Sequence, residues 1–245
     1  MDDILPPAAG AYENVGAYLQ GRGYRVAEEP LRPQHVTPAD LVAGRAPTDV
    51  MSGVLGTQGV WEIVARVDPE AARRLPEHRR PPAAAALVLY LLADDGKYAR
   101  DSKNLGDLFS VARRKAENAG GELREVLVLA SESVITRKHV VDQAKSRNAE
   151  AAAQRRPDRI YLYPFYVFAC DLPRMPAVSR HEVVSREEAA RLLKMYYLTP
   201  KQIPHASAQK DPAIIWCGGR PGDYVQVWQT SETAADQVPV LLLVV

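Results

Sequence analysis

Apolar and polar positions along the chain change period from block to block, and each period predicts an element. AYENVGAYLQGRGYRV (Ala11–Val26) sets Val15 and Leu19 on one helical face, and Gly21 and Gly23 are placed to end that helix. VTPADLVAG (Val36–Gly44) predicts a short second helix, capped by Thr37, with Pro38 in its first turn and Gly44 as its stop. VWEIVARV (Val60–Val67) fits a strand or a helix, and RRLPEHRRPP (Arg73–Pro82) reads as a solvated loop.

From there the pattern sharpens. AALVLYLLA (Ala85–Ala93) is a short apolar run closed by DDG, as a buried strand would be. Leu105, Leu108, Phe109, Ala112 and Ala116 share one face of a helix over residues 102–121 that Gly120 and Gly121 terminate. EVLVLA (Glu125–Ala130) is a second buried strand, residues 136–154 a second helix, and RIYLYPFYVFA (Arg159–Ala169) an aromatic and β-branched segment. Strand, helix, strand, helix in this order predicts an α/β layer domain.

DLPRMPAVS (Asp171–Ser179) reads as a linker, and the character changes beyond it. Ser185 and Glu188 form a capping box able to cap reciprocally, ahead of Ala189, Leu192, Leu193 and Tyr196 on one helical face. After LTPKQIP the pattern predicts turns and strands to the end. CGGRPGDYVQVWQTSETA (Cys217–Ala234) places three glycines before an alternating run. A phosphate-binding loop would need backbone N–H groups at a helix N-terminus with a lysine and hydroxyl following. Here Val225 and Val227 point one way and Tyr224, Gln226 and Trp228 the other, which is a strand after a glycine turn. VPVLLLVV (Val238–Val245) lacks polar alternation, so a strand there is expected to be covered on both faces.

Composition narrows the chemistry. The 245 residues carry a net charge of +1, so no global pull toward nucleic acid or membrane follows. The two cysteines, Cys170 and Cys217, have no partners at metal-ligand spacing and are expected to be reduced, partly buried thiols. No signal peptide and no membrane-spanning run is seen, so a soluble, intracellular protein is expected. His139 and His205 are expected at the surface, and His181 as a hydrogen-bonded structural residue. Asp95 and Lys97 after the first buried strand could belong to a metal-dependent nuclease, with Asp68 or Glu62 as the second acid. A polar turn is the simpler reading. The basic clusters at Arg113–Lys115, RLPEHRR and AQRRPDR suggest the other alternative, a stand-alone DNA-binding protein.

The C-terminal pattern carries a resemblance. HEVVSREEAARLLKMYYLTPKQIP, DPAIIWCGG and GDYVQVWQTSETA occur in this order at nearly fixed spacing. They resemble the fifth subunit of eukaryotic nuclear RNA polymerases, whose C-terminal part is similar to a small subunit of the archaeal enzyme. The matching residues are His181, Ser185, Glu187, Glu188, Leu192, Leu193, Tyr196, Gln202, Pro204, Asp211, Pro212, Gly222, Ser231, Glu232, Thr233 and Ala234. RGYRV (Arg22–Val26) and the strand–helix–strand of Leu87–Ala130 match the family's N-terminal half more loosely, which points to the eukaryotic or large-DNA-virus type.

The resemblance implies an α/β plus α+β chain. Residues 1–170 would form a three-layer-like jaw domain with a restriction-endonuclease-like but non-catalytic core, and residues 171–245 a small α+β assembly domain. It implies a non-catalytic, structural subunit of a multi-subunit DNA-directed RNA polymerase that anchors to the largest subunit, touches other subunits, and lies near downstream DNA that it binds only weakly alone. His181, Tyr196, Gln202, Pro204, Asp211, Pro212, Gly222, Ser231, Thr233 and Ala234 would serve the partner interface. It implies no cofactor, no metal, no membrane and no homo-oligomer; zinc, magnesium and nucleotide joining belong to the polymerase. The location would be the nucleus in a cell, or the virus factory or virion for a virus. The pattern departs at Gln226 and Gln229, where the family carries lysine and arginine, and at Val240 and Leu241, where it carries Tyr-Arg. Lys210 is a one-residue insertion, and residues 45–82 are longer than expected.

Overall fold

The computed structural model describes residues 7–26, 60–92, 96–231 and 236–245. The second helix expected at Val36–Gly44 lies outside them, as does Asp95. Among the described residues the content is mixed α and β, with one five-stranded and one four-stranded sheet. The chain divides into two compact units, residues 1–75 with 80–170, and residues 76–79 with 171–245.

In the first unit, helix α1 (Pro7–Gly21) ends as Gly23 takes a φ of 79°, where a Cβ would press on the Ala72 backbone. The next residues, Tyr24–Val26, form strand β1 rather than continuing the helix. VWEIVARV resolves as β2 (Val60–Val67), with Trp61, Ile63 and Ala65 buried at period two. Short helix α2 (Pro69–Arg73) follows, capped by the Asp68 carboxylate.

β3 (Ala85–Leu92) is buried at every position, because β2 flanks it antiparallel and β4 (Glu122–Ala130) parallel. Helices α3 (Lys97–Arg100) and α4 (Ser102–Asn118) lead from β3 to β4. Helices α5 (Glu132–Ile135) and α6 (Lys138–Ala153) lead from β4 to β5 (Arg159–Pro164), which pairs parallel with β4. α4 and α6 lie against each other and against β3–β5, which puts the apolar stripe of Leu105, Leu108, Ala112 and Ala116 into the core. The aromatic segment is strand only to Pro164. Phe165–Phe168 then forms a 3₁₀ turn under α1, where Tyr18 and Phe168 meet edge to face at 4.9 Å.

Arg22 ties α1 to the sheet. Its guanidinium donates to both oxygens of Glu125 at 2.8 Å and to the Tyr18 hydroxyl at 2.9 Å. The edge strand β5 is closed by Asn148, whose side-chain amide donates to the Ile160 carbonyl and accepts from its N–H. An open edge would invite pairing with another chain, and the amide occupies one rung of it. His139, expected at the surface, is half-buried against the Ala99 carbonyl at 3.0 Å.

The second unit is a four-stranded sheet in the order β6 (His181–Val184), β8 (Tyr224–Ser231), β9 (Asp236–Val244), β7 (His205–Ala206). Helix α7 (Arg186–Met195) follows β6, and α8 (Pro212–Cys217) precedes β8. Val183, Ala206, Ala208, Ile214, Cys217, Val225, Val227 and Val244 form its core. Part of RRLPEHRRPP joins this unit rather than remaining a solvated loop. His78 Nε2 lies 2.8 Å from the Val183 carbonyl, and Arg79 donates to the Cys217 carbonyl at 2.5 Å. The cysteines differ from one another: Cys170 is exposed, while Cys217 is buried, its thiol donating to the Ile214 carbonyl and its pKa raised by burial.

Candidate assembly surface

The matching residues of the second unit divide by the work they do, and most build the unit itself. Ser185 caps α7, its hydroxyl accepting from the Glu188 N–H at 3.1 Å. The reciprocal half of the box is not made. Glu188 instead takes the Arg191 guanidinium at 2.6 and 2.8 Å, which holds its carboxyl below the usual range. Ala189 and Leu192 are buried as the helical face requires, and Leu193 is half-buried. Tyr196 departs from that face. It is the residue after the helix, 51% exposed, because Tyr197 turns left-handed at φ 54° and Leu198 closes back on the Leu193 carbonyl.

Gln202 fastens the turn that follows, its Oε1 accepting from both the N–H and the hydroxyl of Thr199 at 2.8 Å. Asp211 caps α8 by accepting from the Ala213 and Ile214 N–H groups, and Pro212 occupies the first helical position, where a missing N–H costs nothing. His181 opens β6 opposite Val227, with its Nδ1 2.7 Å from the Ser179 carbonyl.

Pro204 and Gly222 converge on one feature, the end of β9. The Pro204 carbonyl accepts from Leu243, and Gly222, at a φ of 91°, donates to the Val244 carbonyl. The Ser231 backbone closes the β8–β9 ladder opposite Asp236, while Thr233 and Ala234 lie outside the described residues. The glycine segment is thus a turn into a strand, with Val225 and Val227 buried and Tyr224, Gln226 and Trp228 half-exposed.

This arrangement leaves an apolar face. Cross-strand register places Tyr224 opposite Leu243, Gln226 opposite Leu241 and Trp228 opposite Pro239, all on the side away from the core. Each of these is half-exposed, so β9 is not covered on both faces as its sequence predicts. The unit is small, and the core cluster around Val225 and Val227 lies on the other side of the sheet, with Leu242 packed against it. Two departures from the family pattern, Gln226 and Leu241, prove to be direct cross-strand neighbours on this face.

Apart from Asp95, which lies outside the described residues, the residues considered for a nuclease site are engaged in structural contacts. Asp68 caps α2, Glu62 pairs with Lys115, and Lys97 lies over the Tyr98 ring. Among the described residues no three His, Cys, Asp or Glu side chains are grouped to hold a metal ion. Within the basic clusters, Arg113 and Arg156 face Asp158, and Arg159 donates to backbone carbonyls. No helix among the described residues is long and apolar enough to cross a membrane.

Comparison with known proteins bears on this geometry. Residues 171–239 match the family model described as RNA polymerase Rpb5, C-terminal domain. The subunit Rpo5 of the DNA-directed RNA polymerase of Pyrococcus abyssi is 40% identical over 57 residues, which is 23% of this chain and 68% of that protein. The chain belongs to the RPB5 family. The DNA-directed RNA polymerase RPB5 homolog of African swine fever virus (isolate Pig/Kenya/KEN-50/1950) is 29% identical over 152 residues, 62% of this chain and 70% of the viral one. The Rpo5 protein of Nitrosopumilus maritimus is 37% identical over 59 residues, 24% of this chain and 70% of its own. Similarity to the viral relative thus extends over more of this chain than similarity to the archaeal ones. Sequence reading identified the motif residues but missed Glu125, His78 and Arg79, whose partners lie 103, 105 and 138 positions away.

Proposed function

We propose that this RPB5-family chain is a non-catalytic subunit of a multi-subunit DNA-directed RNA polymerase. The second unit anchors it to the largest subunit, and the first unit, a jaw built on a restriction-endonuclease-like core, lies near downstream DNA. Transcription is the process it serves, in the nucleus of a cell or in a virus factory or virion.

The observation that carries the assembly role is the half-exposed apolar face of β8 and β9. A row of Tyr224, Trp228, Pro239, Leu241 and Leu243 on one small unit is surface that a larger partner would bury. The family residues behind it act as its frame. Ser185 and Asp211 cap the helices, Gln202 ties a turn, and Pro204 and Gly222 hold the strand end in register. Their place in the interface is therefore to shape the surface rather than to supply its contacts. Tyr196, exposed beside Met195 and Tyr197, supplies contact area of its own.

Leu241→Asp and Leu243→Asp test this reading, because a carboxylate on that face must be desolvated on docking. Each variant is expected to fold and to lose polymerase subunits from a tagged-chain purification. Retention of the large subunits by both variants would refute this face as the anchor. The isolated chain is expected to bind duplex DNA weakly at physiological salt. Submicromolar binding there would favour a stand-alone DNA-binding role.

A further inference from the structure

At the edge of the first unit's sheet lies a recess apart from the residues proposed for the polymerase interface. It is bounded by α4, the second half of α6 and the starts of β4 and β5, with a volume of about 170 Å³. It shares Arg113, Leu123, Arg156 and Asp158 with a wider recess of about 540 Å³. The floor is apolar, from Phe109, Leu123 and Ile160.

Three guanidiniums reach it from three separate stretches of chain: Arg113 of α4, Arg147 of α6, and Arg156 of the turn into β5. Asp158 is the one carboxylate lining it. Arg113 donates to Asp158 Oδ1 at 3.1 Å, and Arg156 Nε lies 3.8 Å from the same oxygen with no hydrogen-bond partner. Arg147 donates to the Ser110 hydroxyl at 2.8 Å, which fixes its fork at the rim, and also pairs with Glu150 outside.

The backbone supports the placement. Arg155 takes a left-handed φ of 53°, so that Arg156 closes on the Ala151 carbonyl at 2.8 Å and enters the recess instead of extending α6. A non-glycine residue held in that region is a conformational cost that the turn tolerates.

Arginine remains protonated at any working pH, and three cations against the lining carboxylate Asp158, with Glu150 paired to Arg147 outside, leave the lining cationic. A recessed anion would face them with less screening than at an open surface. We propose that this recess binds a phosphate dianion, as the free ion or as the terminal group of a small phosphomonoester. A doubly charged anion gains most from such a cluster of fixed cations, and the guanidinium fork matches phosphate oxygens in geometry. The backbone of a duplex fits less well. Its phosphates form a convex ridge, and Glu117 and Glu122 line the wider recess that such a ridge would have to cross. This inference stands independently of polymerase membership.

Calorimetric titration of the full chain with inorganic phosphate, against chloride at matched ionic strength, tests it. Phenyl phosphate and a short duplex form parallel arms. Saturable binding of phosphate is expected. Arg113→Gln and Arg156→Gln are each expected to weaken it about tenfold, as loss of a charged hydrogen bond does. Asp158→Asn is expected to tighten it, which a purely structural role for that carboxylate would not produce. Tighter binding of phenyl phosphate would assign the ester as ligand, and equal binding the free ion. The proposal is overturned if phosphate gives no more heat than chloride, if folded arginine variants bind as the parent does, or if the duplex alone binds.

Discussion

Two apolar runs of equal length, one in each unit, meet different surroundings. AALVLYLL becomes β3, and each of its eight residues is buried, because its own unit supplies a strand on either side and packed helices. VPVLLLVV becomes the end of β9, where Val244 is the one buried residue and Val238 and Val245 are 39% and 55% exposed. Hydrophobicity alone does not decide burial. What decides it is whether the chain has enough further elements to cover both faces of the strand. The first unit does. The second covers one face and leaves the other half-exposed.

The sharpest way to break this comparison is a matched pair of truncations. Leu89→Ala, in the middle of β3, is expected to cost about 4 kcal/mol of unfolding free energy, from lost transfer and the cavity left behind. Leu241→Ala in the isolated chain is expected to cost no more than about 1 kcal/mol, because that side chain already meets solvent. Denaturant unfolding of both variants measures the difference. Equal costs would mean that β9 is covered within the chain after all.

A second expectation concerns the tie inside the first unit. Glu125→Gln leaves the Arg22 guanidinium facing a neutral amide where both side chains are mostly buried, and is expected to cost about 3 kcal/mol. A loss below about 1 kcal/mol would reduce the pair to the standing of a surface salt bridge. In the second unit, Asp211→Ala removes the cap of α8 and is expected to cost about 1 kcal/mol. If that variant unfolds as the parent does, the Asp-Pro element contributes to docking and not to the frame.

The sequence shows β3, β4, α4 and α6 of the first unit plainly, because periodicity reports burial and those elements are one-sided or wholly apolar. The alternation of β2 fits a helix as well, and the three residues of β1 are too few to show a period. α8 is not visible in that way. Ile214, Ile215, Trp216 and Cys217 are all buried, so the helix carries no polar face and no 3.6-residue signal. Where turns and strands are expected, a helix forms instead, with Asp211 as cap, Pro212 at the first position and Gly218 left-handed at φ 77°. The motif residues are legible as a pattern, but their work as caps and clasps needs the register of β9. The apolar face can be suspected from VPVLLLVV, yet its composition depends on the pairing of β8 with β9. That pairing alone shows that Gln226 and Leu241 sit opposite each other. Glu125, His78 and Arg79 meet partners far along the chain, and no local pattern announces such contacts.

If the half-exposed face of β8 and β9 belongs against a polymerase, the chain travels with one. Purification of the tagged full chain from its native source, with mass spectrometry of what accompanies it, tests this most directly. Recovery of the two large polymerase subunits in near-equal amounts with the chain is expected. A chain recovered alone, folded and abundant, would contradict it.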